Sequence, residues 1–336
     1  MKNNPFINLL ISLAIIGFAV SCNPSTEGHT TESAQTSAPL PSWNEGANKT
    51  AIIDFVKKVT DQNSKSYVPV ADRIAVFDND GTLWIEKPLY IPIEFEIAWL
   101  QQKSKSNPEL LDNKLYKGLA EGDMSVLKEY NTFQLIEQLF AVHAGQEVSE
   151  YLQDSRAFLD TEKHPKYDML FKNLTYDPMV ELVDYLQQNN FNVYIVTGGE
   201  MDFLRSVSEE IYNIPPENVV GSSVKYKYVD NADGSELIRT ADIGSANDKY
   251  VKPANIQLHI GKKPIFAAGN SDGDYEMMEY TLSGEGPSMA ILVNHDDAER
   301  EYVYMHGTEK AIEDAKTKGW HVVSMKDDFK SVFEKK

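Results

Sequence analysis

Short runs of apolar, strand-forming residues recur along the chain, and each run ends abruptly in polar residues. Such runs are typical of buried parallel strands, which have both faces covered. Helical patterns separate them, so the order of elements predicts a doubly wound parallel sheet of the α/β class. The predicted strands occupy residues 73–77, 192–196, 219 onward, 264–268 and 289–293.

The segment between the first two predicted strands breaks this alternation. We therefore predict a helical domain at 88–172, inserted into an α/β core formed by residues 43–87 and 173–336. The insertion has no convincing strand pattern but four helical patterns, which lie at 93–104, 108–122, 125–144 and 146–159. A different excursion, at residues 225–240, has two strand patterns around an Asn-Ala-Asp-Gly turn and predicts a β-hairpin.

The first 22 residues have the pattern of a signal peptide. Lys2 is followed by an apolar run over residues 7–20, which is too short for a comfortable membrane span. The run ends in Ala19-Val20-Ser21-Cys22, which resembles a bacterial lipobox, where cleavage precedes a lipid-modified cysteine. We therefore predict an exported lipoprotein, anchored to a membrane of the bacterial cell envelope through Cys22 and facing the periplasm or the outer surface. Ordinary signal cleavage near Ser21 is the alternative.

The composition after Cys22 supports this division. Residues 23–42 are mostly Ser, Thr, Pro, Glu and Gln, which bury too little surface to order a chain, so we predict a flexible linker. Cys22 is the only cysteine of the sequence, which excludes disulfides and zinc–thiolate sites from the rest of the chain.

The charge balance limits the possible partners. The formal net charge is −19, from 51 acidic and 32 basic residues. This argues against a nucleic-acid partner and against a basic contact with a membrane surface. An anionic substrate would need local cations, which a bound metal ion and one or two lysines would supply.

The most informative segment is Asp78-Asn79-Asp80-Gly81-Thr82-Leu83, which directly follows the first predicted strand. Ligand sites of open α/β sheets gather beyond the carboxyl ends of strands. Two carboxylates two residues apart can face one hard cation such as Mg²⁺ there, and Gly81 allows the tight turn. One carboxylate could then attack phosphorus while the other transfers protons. A plain Asp-Gly turn at a strand end is the alternative.

This segment resembles the first motif of the haloacid dehalogenase superfamily. The resemblance implies that Asp78 is the nucleophile and Asp80 the general acid and base of a phosphatase that uses Mg²⁺. It also implies a helical cap domain that closes over the site, which agrees with the predicted insertion at 88–172.

Two later segments match further motifs of the superfamily. Thr197-Gly198-Gly199 ends the second predicted strand and resembles the phosphoserine-phosphatase-like branch. A hydroxyl and two glycines at a helix start would hold a phosphate group with backbone amides. Lys252, or alternatively Lys249, matches the lysine that screens the charges of the nucleophile and the phosphoryl group.

The fourth motif, Gly269 to Asp274, departs from the superfamily pattern. Asn270 lies where the first acid is common, whereas Asp274 matches the second. The implied metal ligands are therefore Asp78, Asp80, Asn270 and Asp274, and the Asn270 amide oxygen would bind Mg²⁺ without adding charge. Asp272 either compensates for the missing acid or only bonds the loop backbone.

These observations predict a magnesium-dependent phosphatase that hydrolyses a small phosphomonoester through an aspartyl-phosphate. Trp84, Glu86, Tyr90 and Arg205 are candidates to line the closed cleft, with Glu86 and Arg205 as substrate ligands; packing or a surface ion pair is the alternative for each. Asp80 favours phosphoryl chemistry over dehalogenation, and export argues against a mutase. The alternatives are another activity of the superfamily (phosphotransferase, phosphonatase or dehalogenase) and a non-catalytic binding lipoprotein of the same fold.

Overall fold

The computed structural model describes residues 39–231 and 234–333. The predicted signal peptide, Cys22 and most of the predicted linker lie outside the described residues. Seven strands form one sheet in the described part of the chain, in the order β4-β3-β2-β1-β5-β6-β7. The strands are β1 (Ile74–Phe77), β2 (Asn192–Glu200), β3 (Val219–Asn231), β4 (Gly234–Ser245), β5 (Phe266–Gly269), β6 (Met289–Asn294) and β7 (His321–Ser324).

The predicted fold class is confirmed. All neighbouring strands are parallel except β3 and β4, which pair antiparallel as the predicted hairpin. β1 is central and all four of its residues are buried, because helices cover both faces of a parallel sheet. Phe77 at its end pairs with Ile195 of β2 and Ala268 of β5, so the carboxyl ends of these three strands lie side by side.

Helices connect the strands and flank the sheet. Five of them, α2 to α6, lie between β1 and β2 in the sequence, and the first four of these fall within residues 88–172, where the helical insertion is predicted. The α-helices are α1 (Ala47–Thr60), α2 (Ile91–Lys103), α3 (Lys114–Glu121), α4 (Thr132–Ala141), α5 (Val148–Thr161), α6 (Asp177–Gln188), α7 (Met201–Arg205), α8 (Ser208–Tyr212), α9 (Val251–His259), α10 (Tyr275–Leu282), α11 (Glu309–Lys318) and α12 (Met325–Asp328).

Two of the four predicted helices of the insertion are each divided. A 3₁₀-helix at Pro108–Asp112 precedes α3, and another at Met124–Glu129 precedes α4. The division occurs at asparagines: the Asn113 side chain accepts hydrogen bonds from the first amides of α3, and Asn131 forms a capping box at the start of α4. Such caps satisfy amides that otherwise lack partners, so each begins a new helix. The boundary between core and cap domains stays a prediction.

The β3–β4 hairpin contacts the segment between α4 and α5. Arg239 of β4 donates its backbone amide to Gln146 at 2.9 Å and accepts a hydrogen bond from the Gly145 amide at 2.8 Å. The hairpin therefore joins the edge of the sheet to the helical insertion.

As for membrane crossing, the described helices are all too short or too polar to span a bilayer.

Candidate active site

Asp78, Lys252 and Asp274 form a buried hydrogen-bonded group at the carboxyl end of β1. The Lys252 ammonium donates to Asp78 Oδ1 at 2.7 Å and to Asp274 Oδ1 at 2.6 Å. Asp78 immediately follows β1, Lys252 lies in α9, and Asp274 immediately precedes α10. Burial, together with the charge of Asp274, raises the pKa of Asp78, and Lys252 opposes this rise. Burial alone would lower the pKa of Lys252, but the two carboxylates outweigh burial and raise it, so the lysine remains charged.

Asp80 lies beside this group and has different neighbours. Its Oδ1 accepts a hydrogen bond from the Trp84 indole at 2.9 Å, and its Oδ2 lies 3.4 Å from the Thr197 hydroxyl. Burial raises the pKa of Asp80 to about 6, against the lowering effect of the Trp84 hydrogen bond. A carboxyl group with a pKa in this range can both give and accept a proton near neutral pH. The two aspartates of the segment therefore have distinct environments.

Asn270 is held in one orientation by its two neighbours. Its Nδ2 donates to Glu86 Oε1 at 3.4 Å, and its Oδ1 accepts from the Thr82 hydroxyl at 3.3 Å. Glu86 presents an acceptor oxygen to the amide nitrogen and Thr82 presents a hydroxyl to the amide oxygen, which suits this orientation of the amide. Gly81 makes this arrangement possible, because its φ is +75° and a Cβ there would lie 2.1 Å from Asn270 Nδ2.

Gly198 and Gly199 lie within β2 rather than at a helix start. The strand continues to Glu200, and the Gly199 amide donates to Thr197 Oγ1 at 2.9 Å. One amide of the first turn of α7 is already bound by the protein, because the Glu200 carboxylate accepts from Phe203 N at 2.8 Å. The glycines therefore lie in a strand and not at the expected helix start, because the helix begins only after Glu200. Phosphate binding by Gly198 and Gly199 stays a prediction.

Three further residues from the sequence analysis lie outside the cluster. Lys249 is exposed, whereas Lys252 is 2% exposed and bonds both carboxylates, so geometry favours Lys252. Asp272 accepts from the Ala311 amide at 2.8 Å in the first turn of α11, so it bonds the backbone of a distant helix and not the backbone of its own loop. Arg205 donates to the carbonyls of Pro216 and Val219 and does not line the cavity described next.

A cavity of about 390 Å³ opens at the candidate site. Asp78, Asp80, Lys252 and Asp274 line one part of it, together with Gly198, Gly199, Glu86 and Tyr90, which the sequence analysis singled out. Helices of the insertion line another part, and sequence reasoning missed their residues: Pro92, Ile93, Glu96, Leu135, Ile136, Leu139, Phe140 and Tyr151. The one available signal was the apolar pattern of these helices, which does not distinguish a cavity wall from ordinary core.

The oxygen atoms that the candidate site offers are compatible with a magnesium ion that takes only a few of its ligands from the protein. Asp78 Oδ2 lies 3.5 Å and Asn270 Oδ1 lies 3.3 Å from the same Thr82 hydroxyl, so a carboxylate and an amide oxygen are neighbours. In the described residues, no three His, Cys, Asp or Glu side chains form a metal-binding group. Asp274 explains this in part, because its Oδ2 already accepts from the amides of Asn270 and Ser271. Mg²⁺ typically uses one or two carboxylates together with substrate phosphate and water, and one carboxylate with an amide oxygen is compatible with that pattern.

Comparison with known proteins shows the family of this chain. The model of the haloacid dehalogenase-like hydrolase family matches residues 75–279, a span that contains Asp78, Thr197, Lys252 and Asp274. The chain therefore belongs to the haloacid dehalogenase-like hydrolases. No curated protein sequence matches it.

Solved structures are similar at low sequence identity. A conserved protein of unknown function from Anaerococcus prevotii has 14% identity and a TM-score of 0.54, over 82% of this chain and 91% of its own. A protein of unknown function from Bordetella pertussis has 15% identity and a TM-score of 0.48, over 75% and 98% of the two chains. A phosphoserine phosphohydrolase-like protein from Francisella tularensis has 20% identity and a TM-score of 0.39, over 75% and 94%. At these identities the first structure supports the fold alone.

Proposed function

We propose that this hydrolase is a magnesium-dependent phosphatase that acts on a small phosphomonoester through an aspartyl-phosphate at Asp78. The observation that carries the proposal is the buried Asp78–Lys252–Asp274 group beside Asp80, at one end of a cavity. The site combines the Asp78 carboxylate, held in place by Lys252, with a charged lysine that can attract an anionic substrate. It also contains a second carboxyl group, Asp80, whose hydrogen-bond partners differ from those of Asp78.

In the proposed reaction, an oxygen of Asp78 attacks phosphorus and the bond from phosphorus to the ester oxygen breaks. Lys252 fixes the Asp78 carboxylate and screens the charge of the arriving phosphoryl group. Asp80 gives its proton to the departing oxygen, and then takes a proton from the water that releases phosphate from Asp78. Asp78 and Asn270 would hold Mg²⁺, with Asp80 and Asp274 beside them, and the ion would neutralise charge on the phosphoryl oxygens.

Metal removal tests this proposal. The full chain should hydrolyse phosphomonoesters such as p-nitrophenyl phosphate with Mg²⁺, lose turnover in excess EDTA and regain it when Mg²⁺ is restored in excess. Phosphate release is the measurement, and inactivated protein treated identically is the control. Undiminished turnover in excess EDTA would contradict the metal requirement, and no hydrolysis of any ester would contradict the proposed function.

Asn270 offers a test of the metal site that does not depend on turnover. Asn270→Asp adds a charged ligand and should tighten Mg²⁺ binding, but the new carboxylate faces Glu86 where an N–H donor was. The double variant Asn270→Asp/Glu86→Gln restores a donor–acceptor pair, so we expect about a tenfold lower Kd for Mg²⁺ by calorimetry. Glu86→Gln alone is the matched control. An unchanged Kd in the double variant would contradict Asn270 as a ligand.

A non-catalytic binding function is the second candidate. It is favoured by Asn270 and by the absence of a three-carboxylate group among the described residues. Tight binding of phosphate or a phosphonate without hydrolysis of any ester, with Mg²⁺ present, would support this candidate over the phosphatase.

We also propose that a lipid on Cys22 holds the protein at the bacterial cell envelope, with the small phosphorylated substrate met on the exported side. The proposal rests on the apolar run at 7–20 and on the lone cysteine after it. Cys22→Ala should move the protein out of the membrane fraction, whereas Ser25→Ala in the predicted linker should leave it there. Immunoblots of fractionated cells measure this, and a membrane-bound Cys22→Ala protein would contradict the anchor.

A further inference from the structure

One wall of the cavity is formed by a single apolar face of α4. Leu135, Ile136, Leu139 and Phe140 line the cavity, and we call these four residues the α4 wall. Their spacing of one, four and five residues places them on one side of the helix. The phosphate end of the cavity, with Asp78 and the other charged groups, is polar, so the cavity has a polar and an apolar part.

Most of the charged side chains that line the cavity are acidic. Lys252 is the only basic side chain among the described residues that line it. Beyond the proposed phosphate contacts, the cavity is lined by further carboxylates: Glu86, Glu96, Glu200 and Asp248. Three of these carboxylates have a basic partner: Glu86 lies 3.5 Å from Lys87 Nζ, Glu96 lies 2.9 Å from His143 Nε2, and Glu200 lies 3.0 Å from Arg239 Nη1. None of the three partners lines the cavity, so each is already engaged by the protein and is not placed to meet a bound anion.

We propose that the α4 wall is the leaving-group subsite, and that it selects monophosphate esters of an apolar, ring-sized alcohol that carries no second negative charge. This inference rests on the proposed phosphatase function and names its substrate class. A cavity of about 390 Å³ has room for a phosphate and a ring, since pockets for small ligands start at about 300 Å³. A second anion would lose water beside Glu96, which is 5% exposed and already paired with His143 at 2.9 Å, and the α4 wall offers it no cation in exchange.

Ile136 is the best position at which to test the α4 wall. It is half-buried, lines the cavity and belongs to none of the three apolar clusters found in the described residues. Leu139, in contrast, is part of one of these clusters, so its truncation would also weaken packing. Glu137 is exposed on the same helix and does not line the cavity, which makes Glu137→Ala a matched control.

Binding of stable phosphonates separates the subsite from turnover. Calorimetry on the full chain with Mg²⁺ would compare benzylphosphonate, 4-(phosphonomethyl)benzoate and ethylphosphonate. We expect benzylphosphonate to bind about tenfold or more tightly than either of the others, since apolar contact and the absence of a second anion both favour it. Equal or reversed affinities, or no binding of any of the three, would overturn the subsite.

Ile136→Ala should weaken benzylphosphonate binding about tenfold and change ethylphosphonate binding by less than about twofold, because truncating an apolar contact in a pocket costs about 10–200-fold in selectivity. Glu137→Ala should change neither. An equal effect of Ile136→Ala on both ligands, or no effect, would overturn the proposal.

Hydrolysis of the corresponding esters then distinguishes the two proposals. We expect kcat/KM for phenyl phosphate to exceed that for 4-carboxyphenyl phosphate about tenfold, although the latter has the better leaving group. If the phosphonates bind in the expected order but no ester is hydrolysed, the subsite stands and the phosphatase function is wrong. If esters are hydrolysed without this preference, the function stands and the subsite is wrong.

Discussion

Asp78→Asn should abolish ester hydrolysis, with a loss of about 10⁴-fold or more in kcat, as expected when a nucleophile is removed. The amide is a poor nucleophile, and Asp80 cannot take the place of Asp78 because it has different partners, Trp84 and Thr197, and no bond to Lys252 orients it toward phosphorus. The fold should persist, since asparagine has the same shape and Lys252 keeps its bond to Asp274.

Steady-state phosphate release and thermal unfolding would be measured together for Asp78→Asn. Asp242→Asn, at an exposed position of the β3–β4 hairpin, is the control and should keep wild-type kcat. Wild-type rates in Asp78→Asn, with a normal unfolding transition, would remove Asp78 from the mechanism.

Asp80→Asn should lower kcat by about 10²–10⁴-fold for esters with poor leaving groups such as ethyl phosphate, because proton transfer contributes that much. Asparagine can still accept from Trp84 through its oxygen, so the local structure should be retained. The loss should be smaller for p-nitrophenyl phosphate, whose leaving oxygen needs little protonation. Parallel kcat measurements on the two esters check this, and an equal loss for both would contradict a proton-transfer role.

The central site was predictable because its residues follow from local sequence and one topological rule. Asp78 follows a short buried run, and the carboxyl ends of adjacent parallel strands must meet at one edge of the sheet. The pairing of Phe77 with Ile195 and Ala268 therefore brings Asp78 close to Thr197 and to the Asn270 loop. The roles of these residues, and the choice of Lys252 on a helix, came from the resemblance to the haloacid dehalogenase superfamily.

The errors arose where long-range packing decides the outcome. Arg205 follows a motif closely in sequence, yet its side chain turns to backbone carbonyls near the start of β3. Gly198 and Gly199 were expected at a helix start, but β2 continues to Glu200, which caps the helix that follows. β7 was missed because it is a four-residue strand at the sheet edge and only Val323 is fully buried. The α4 wall could not be assigned either, because an apolar helix face has the same pattern in a core and in a cavity.

The covalent intermediate is the most direct test of the whole account. In Asp80→Asn with p-nitrophenyl phosphate, bond cleavage should survive while release of phosphate from the enzyme becomes slow, so phosphoenzyme should accumulate. Rapid acid quench and mass spectrometry of the digested protein would locate the phosphoryl group. We expect the phosphoryl group on the peptide that contains Asp78, and specifically on the Asp78 side chain. Phosphoryl on a different residue, or continued turnover without any phosphoenzyme, would contradict it.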